Sequence, residues 1–120
     1  MHERLRFIKR GEQAVLLVDF SHCTQQQVLG LVNEAQQQIA RHPRNSLLTL
    51  ADFTDAQINK QVAMRIKEVL VLDRPFVKRS AWVGTASLPK VFYENFKSFS
   101  QRDFPVFETR EQALEWLTKD

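Results

Sequence analysis

Apolar residues along this chain are arranged in two patterns, a helical repeat of three and four residues and short, nearly continuous runs. Val28, Leu31 and Val32 begin such a repeat, which continues through Ala35 and Ile39 with glutamines on the other side. The repeat predicts four helices, at 24–43, 55–73, 87–100 and 109–119. The apolar runs predict five strands, at 4–10, 14–20, 46–53, 75–84 and 104–108.

The order β-β-α-β-α-β-α-β-α predicts a single α/β domain over residues 1–120, with a five-stranded, mostly parallel sheet and four helices. The runs at 14–20 and 46–53 are apolar almost throughout, which is typical of strands covered on both faces. Gly11 permits a tight turn after the first strand, so we expect that strand to be antiparallel and at an edge, where its basic residues discourage pairing.

Composition indicates an ordinary globular protein, with 43% hydrophobic and 26% charged residues and a net charge of +3. The segment from Lys60 to Arg102 contains nine Lys or Arg residues but only three Asp or Glu residues. This excess attracts phosphates or an acidic partner, or else forms a solvated surface. The bias is weak and no nucleic-acid-binding module is recognisable, so we expect no nucleic-acid partner.

Several features favour a cytoplasmic protein. No run of 18 apolar residues predicts a transmembrane helix, and residues 1–10 lack the apolar block of a signal peptide. Cys23 is the sole cysteine and suits a reducing compartment. His2, His22 and His42 are scattered, so we expect no zinc site and no cofactor.

Three of the predicted helices begin with the same local pattern. Thr24, Thr54 and Thr109 each stand three residues before a glutamine, which is the pattern of a capping box, and Ser87 is placed to cap the remaining helix. Thr54 therefore has two interpretations, a helix cap or an acceptor of phosphate.

A family resemblance bears on this choice. The element order and the stretches "LLTLADFT", "KRSAWVG" and "FETREQALEWL" resemble the SpoIIAA-like proteins of the STAS superfamily, whose fold is related to the CRAL-TRIO lipid-transfer domains. In the anti-anti-sigma factors of this superfamily, a serine that begins the helix after the third strand is phosphorylated, and the phosphate controls binding to a partner kinase. The resemblance makes Thr54 the matching candidate. The segment 52–55 has neither the serine nor the glycine of those proteins, and the chain looks closer to the stand-alone SpoIIAA-like group.

Polar residues follow the ends of the predicted parallel strands, where open α/β sheets bind ligands. The candidates for ligand or partner binding at this edge are Asp19, Asp52, Phe53, Asp55, Gly84, Thr85 and Ser87. Backbone N–H groups after Gly84 suit an anion, although the same residues also serve a turn and a cap. Too few acids are paired for a dedicated magnesium site.

The helix at 87–100 is unusually aromatic. Phe92, Phe96 and Phe99 share one face, which predicts core packing or, alternatively, an apolar pocket beneath the helix. Tyr93 lies off that face, in a position that suits the mouth of a pocket or a contact between two copies of the chain. A homodimer is therefore one alternative. Phe92, Tyr93 and Phe96 complete the set of candidate binding residues.

No nucleophile stands beside a base in a recognisable arrangement, so we do not expect an enzyme. The sequence favours a non-enzymatic regulatory or binding module that recognises a protein partner or a small apolar or anionic ligand. The alternative is a carrier of lipid or another apolar molecule that uses the aromatic helix. An enzyme of acyl or phosphoryl chemistry is a third, weaker hypothesis.

Overall fold

A computed structural model describes residues 3–102 and 104–119, apart from the side chain of Ser87. The strands are β1 (Leu5–Arg10), β2 (Gln13–Asp19), β3 (Leu47–Asp52), β4 (Val77–Val83) and β5 (Val106–Phe107). The α-helices are α1 (Gln25–Ile39), α2 (Lys60–Asp73), α3 (Lys90–Ser100) and α4 (Arg110–Leu117), with a 3₁₀ turn at Thr85–Ser87. The predicted order of strands and helices is confirmed.

The five strands form one sheet in the order β1-β2-β3-β4-β5. β1 is antiparallel to β2 and the other neighbours are parallel, as predicted. Gly11 makes the hairpin turn with a φ of 62°. β5 is shorter than the predicted strand, and the carbonyl of Pro105 extends its pairing by accepting the N–H of Trp82 at 3.0 Å.

Alternate side chains of the central strands point to opposite faces of the sheet, and each face has its own core. Leu16, Val18 and Trp82 pack with α1, α2 and α3 on one face. Leu17 and Leu50 pack with α4 on the other. Both faces are therefore apolar, which explains the nearly continuous apolar runs in β2 and β3.

Two of the three predicted capping boxes are confirmed. The side chain of Thr24 accepts from the N–H of Gln27 and the glutamine side chain accepts from the N–H of Thr24, with the same exchange between Thr109 and Gln112. These pairs satisfy N–H groups that lack partners within the helix.

The prediction that Thr54 caps α2 is wrong. The helix begins five residues after the predicted start, and its N-cap is Asn59, whose Oδ1 accepts from the N–H of Val62 at 2.8 Å. Thr54 instead donates its hydroxyl to Asp52, and Asp55 has a φ of 53°, which turns the chain away from a helix. A tertiary turn thus replaces the local capping pattern.

The start of α3 also differs from the prediction. The helix begins at Lys90 with Pro89 at its N-cap and no side-chain capping bond, so Ser87 does not occupy the capping position. Thr85–Ser87 forms a separate turn, in which the N–H of Leu88 donates to the carbonyl of Thr85 at 2.9 Å. Within residues 3–102 and 104–119, no helix combines the length and apolarity needed to cross a bilayer.

We expect Asn59→Ala to lower the free energy of unfolding by about 1 kcal/mol, as Thr24→Ala and Thr109→Ala should, because each removes an acceptor from a helix N-terminus. Urea denaturation measures the loss. Lys60→Ala, at the exposed first position of α2, is the control and should change stability by less than about 0.5 kcal/mol. An unchanged midpoint for Asn59→Ala would show that α2 does not depend on this cap.

Candidate functional site

The carboxyl ends of β2 and β3 carry a compact charged cluster. Asp19 and Asp52 lie opposite each other in the register of the two strands. Arg110, the first residue of α4, joins them: its Nε donates to Asp52 Oδ2 at 2.7 Å, and its Nη2 is 3.2 Å from Asp19 Oδ1. The structure thus brings together Asp19 and Asp52, two of the residues named as binding candidates at this edge, and their binding role stays a prediction.

The same two aspartates organise two similar turns. Asp19 Oδ1 accepts the N–H of Ser21 at 3.0 Å and its hydroxyl at 2.6 Å. Asp52 Oδ1 accepts the N–H of Thr54 at 2.9 Å and its hydroxyl at 2.7 Å. The signal in the sequence is the repetition of Asp-Phe-Ser at 19–21 as Asp-Phe-Thr at 52–54, each at the end of a buried strand.

The intervening phenylalanines are part of the core. Phe20 and Phe53 stack with ring centroids 4.9 Å apart, and Phe53 also packs against Trp82 at 4.6 Å. Both side chains are buried. Phe53 therefore anchors the turn to the core and is not exposed to a partner.

Opposite charges in this cluster stabilise each other. Burial raises the pKa of Asp19, but hydrogen bonds from Ser21 and the positive charge of Arg110 outweigh it and hold that pKa below its usual value. Burial lowers the pKa of Arg110, but its bonds to Asp52 and Asp19 outweigh this and raise it. Both carboxylates are already hydrogen-bonded, and they hold loops and α4 to the sheet.

The other residues predicted at this edge surround the cluster. Gly84 has a φ of 71° and lies directly against Thr54. Asp55 is exposed and pairs with His22, with 3.4 Å between Oδ2 and Nδ1. Thr85 is half-buried in the 3₁₀ turn. Anion binding at this turn and phosphorylation of Thr54 stay predictions.

The aromatic helix is only partly buried. Phe96 is buried against Trp82, and the hydroxyl of Tyr93 donates to the carbonyl of Phe104 at 2.8 Å. Phe92 is half-buried. Phe99, predicted to lie in the core, is 55% exposed, because α3 rests beside α2 with the Phe99 ring facing outward under Lys67.

A cavity of about 70 Å³ lies between the sheet and helices α1 and α2. Its walls are mainly apolar, with Val32, Ala35, Ile66 and Val69 supplied by the two helices. The cavity is distinct from the predicted pocket beneath the aromatic helix, since no residue of α3 contributes to its described lining.

One end of the cavity is polar. Thr49 and Ser80 face each other across neighbouring strands, with their hydroxyl oxygens 2.7 Å apart. Arg102, on the segment after α3, donates from Nη2 to Ser80 Oγ at 2.6 Å and from Nη1 to the carbonyl of Leu70 at 3.1 Å. That carbonyl belongs to the last turn of α2, where the helix dipole favours a cation.

Asp73, the last residue of α2, completes this polar end. It is 6% exposed, and its Oδ1 has no hydrogen-bond partner among the described residues. Burial raises the pKa of Asp73 to about 7, against the opposing charges of Arg102 and Arg65. Burial likewise lowers the pKa of Arg102 to about 10, against the charge of Asp73, so Arg102 is positive at neutral pH.

Sequence analysis missed this polar cluster. Thr49 was detectable, because it is a polar residue within an otherwise apolar strand segment, whereas Ser80 follows Lys78 and Arg79 and does not stand out. Asp73 and Arg102 gave no such signal, since 29 positions separate them and only tertiary packing brings them to one cavity. Within residues 3–102 and 104–119, no group of three or more His, Cys, Asp or Glu residues is placed to hold a metal ion.

Comparison with solved structures identifies the architecture. The structure resembles an uncharacterised protein of the DUF3478 family from Shewanella loihica PV-4, described as having a SpoIIAA-like fold. The TM-score is 0.70 over 94% of this chain and 91% of that chain, with 17% sequence identity. The fold is SpoIIAA-like. No family model matches the sequence, and no curated protein matches it. At this identity the SpoIIAA-like resemblance concerns the fold, so the residues of the cavity and the cluster are described from this chain alone.

Substitution of two glycines should separate backbone conformation from close packing. Gly11→Ala should cost about 1 kcal/mol, because the left-handed backbone disfavours a side chain while the space around it is open. Gly84→Ala should cost roughly 3 kcal/mol or more, because its Cβ would also lie 2.8 Å from the Cα of Thr54 and collide with that residue's backbone N. Urea denaturation of both variants tests this. Equal losses would show that the Gly84 turn moves freely away from Thr54.

Asp73→Asn should change the pH dependence of stability. The pKa of Asp73 is raised in the folded protein to about 7 from an ordinary 3.8, so the folded state retains a proton that the unfolded state releases. The wild-type protein should therefore lose stability relative to Asp73→Asn as pH rises from about 4 to 7, by up to about 4 kcal/mol, with no further loss above that window.

Urea denaturation of both proteins across this pH range measures the difference. Asp55→Asn, at an exposed carboxylate, is the matched control and should follow the wild-type curve. Parallel curves for wild type and Asp73→Asn would show that Asp73 has an ordinary pKa.

Proposed function

We propose that this SpoIIAA-like protein is a non-enzymatic binding module for a small, largely apolar molecule that carries one polar group. The ligand occupies the cavity between the sheet and helices α1 and α2, with its polar group towards Asp73 and Arg102. The observation that carries this proposal is Asp73 itself, which lines the cavity and has a buried Oδ1 without a hydrogen-bond partner among the described residues.

The buried Oδ1 of Asp73 lowers the stability of the fold as long as it has no hydrogen-bond partner. A buried polar atom without a partner typically destabilises a fold by about 1–3 kcal/mol. A ligand that forms a hydrogen bond with the Asp73 carboxyl group recovers this energy, and its apolar part fills space lined by residues such as Val32 and Val69. The cavity is about 70 Å³, roughly half of the ~150 Å³ that accommodates benzene, which limits the enclosed part to a few heavy atoms.

The alternative site at the strand ends is a weaker candidate. Asp19 and Asp52 already accept hydrogen bonds from Arg110, Ser21 and Thr54, so a ligand there would have to displace them. Within the described residues this cluster offers no vacant carboxylate oxygen comparable to that of Asp73. Recognition of a protein partner by the exposed part of this edge stays a prediction.

The state of Cys23 supports a binding role over catalysis. Its side chain is buried, and burial raises the pKa of the thiol, which disfavours the reactive thiolate. Its Sγ lies 4.0 Å from the backbone carbonyl of Asp19. A nucleophilic reaction at this residue is therefore not part of the proposal.

Titration with 1-propanol, followed by amide chemical shifts, tests the proposal. We expect saturable shifts at Val32, Ile66 and Val69 in the wild-type protein. Ala35→Leu should abolish them, because the larger side chain enters the cavity. Gln37→Leu places the same side chain on the exposed side of α1 and should bind as wild type does.

Two results would contradict the proposal. One is the absence of saturable shifts in the wild-type protein. The other is undiminished binding to a correctly folded Ala35→Leu variant, which would place the alcohol elsewhere on the surface.

A further inference from the structure

We propose that the cavity recognises a short-chain monocarboxylic acid, whose carboxylate lies between the guanidinium of Arg102 and a protonated Asp73. This inference rests on the proposed function and names the chemical class of its ligand. It follows from the geometry and charge of the polar end of the cavity.

Arg102 is suited to hold the carboxylate. A guanidinium has five N–H donors in a planar fork, and the described structure uses Nη2 for Ser80 and Nη1 for the carbonyl of Leu70. Each of these nitrogens carries a second N–H. Arg102 is therefore held in place by protein acceptors and still has donors for a carboxylate ligand, which is the partner that its geometry favours.

Asp73 supplies the complementary hydrogen bond when it is protonated. Asp73 lines the same cavity as Arg102, its Oδ1 has no hydrogen-bond partner among the described residues, and no ion pair joins the two residues among the described contacts. Two carboxyl groups that meet in a buried site share one proton, because two negative charges at short distance repel strongly. Binding of a carboxylate therefore favours the neutral form of Asp73, which burial already favours.

Charges around Asp73 favour an anion over an ammonium group. Arg102 approaches from the segment after α3, Arg65 acts from α2, and Arg74 directly follows Asp73. Arg65 is partly neutralised by Glu68, 4.0 Å away. Along the cavity wall itself, the described residues of α1, β2, β3 and β4 carry no charge. With Asp73 protonated, the polar end has a net positive charge.

The apolar walls define the rest of the ligand. Ala35 and Val32 from α1 face Ile66 and Val69 from α2 across the cavity. A space of about 70 Å³ accommodates an alkyl chain of roughly two to four carbons. Longer chains would have to leave through the open side of the cavity.

The proposed binding takes up a proton at pH values where Asp73 is ionised. Affinity for propionate should be constant below about pH 7 and should fall about tenfold for each pH unit above it, because protonation of Asp73 then accompanies binding. A propylammonium ligand would show the opposite trend, and 1-propanol would show a much weaker one.

Calorimetric titration with propionate at pH values from about 6 to 8.5 tests this inference. Measurements in two buffers of different ionisation enthalpy count the protons taken up. Asp73→Asn should bind propionate with an affinity that no longer changes across this range, because the amide donates a hydrogen bond at every pH. Asp55→Asn is the control and should keep the wild-type pH dependence.

Arg102→Gln gives a second, independent measurement. It should reduce propionate affinity at least tenfold at low pH while 1-propanol affinity changes little, since only the anion needs the guanidinium. If this variant does not fold, the pH dependence of propionate affinity in wild type and Asp73→Asn still tests the carboxylate inference.

The outcomes separate this inference from the proposed function. Binding of 1-propanol that Ala35→Leu abolishes, together with propionate affinity that is absent or independent of pH, would overturn the carboxylate inference and leave the proposed function intact. Preference for propylammonium would overturn it as well. Absence of binding by all three probes would overturn both.

Discussion

The ion pairs of Arg110 with Asp19 and Asp52 are the interaction on which the carboxyl end of the sheet depends. Parallel pairing of β2 and β3 places the two carboxylates side by side, where they would repel each other without a cation between them. The cation comes from α4, on the opposite face from the other helices, so the same contact attaches the third layer to the sheet. Removing Arg110 would be costly, because it leaves the buried carboxylate of Asp52 without this cation.

The carboxylates at the strand ends and the carboxylate at the cavity therefore have different roles. Asp19 and Asp52 accept several hydrogen bonds each, and the energy of these bonds is used to hold turns and helices in place. Asp73 is as buried as Asp52 but has an oxygen without a partner in the described structure. Shifted pKa values occur both at functional sites and in structural ion pairs, and the incomplete hydrogen bonding distinguishes Asp73 from the structural aspartates. This contrast supports the proposed binding site inside the domain over one at its edge.

The sequence was sufficient for the architecture because both hydrophobic periods and two capping boxes are local properties. It was insufficient wherever a tertiary contact overrode a local preference. Thr54 has the pattern of a helix cap, yet Asp52 takes its hydroxyl and Asn59 becomes the cap. Phe99 continues an apolar stripe but faces outward, since the packing of α3 on α2 decides which turns are covered. The cavity could not be predicted for the same reason. The cavity depends on how closely α1 and α2 approach the sheet, and the spacing of apolar residues does not determine that distance.

The cavity also gives this side of the domain an unusual mechanical property. A folded protein that encloses unfilled space occupies more volume than its unfolded chain in water, so hydrostatic pressure shifts the equilibrium towards unfolding. In this SpoIIAA-like domain the cavity lies beside α1 and α2, whereas α4 covers a separate core on the opposite face of the sheet. We expect pressure to destabilise the packing of α1 and α2 on the sheet before it affects α4. A molecule bound in the cavity would make the domain less compressible as well as more stable.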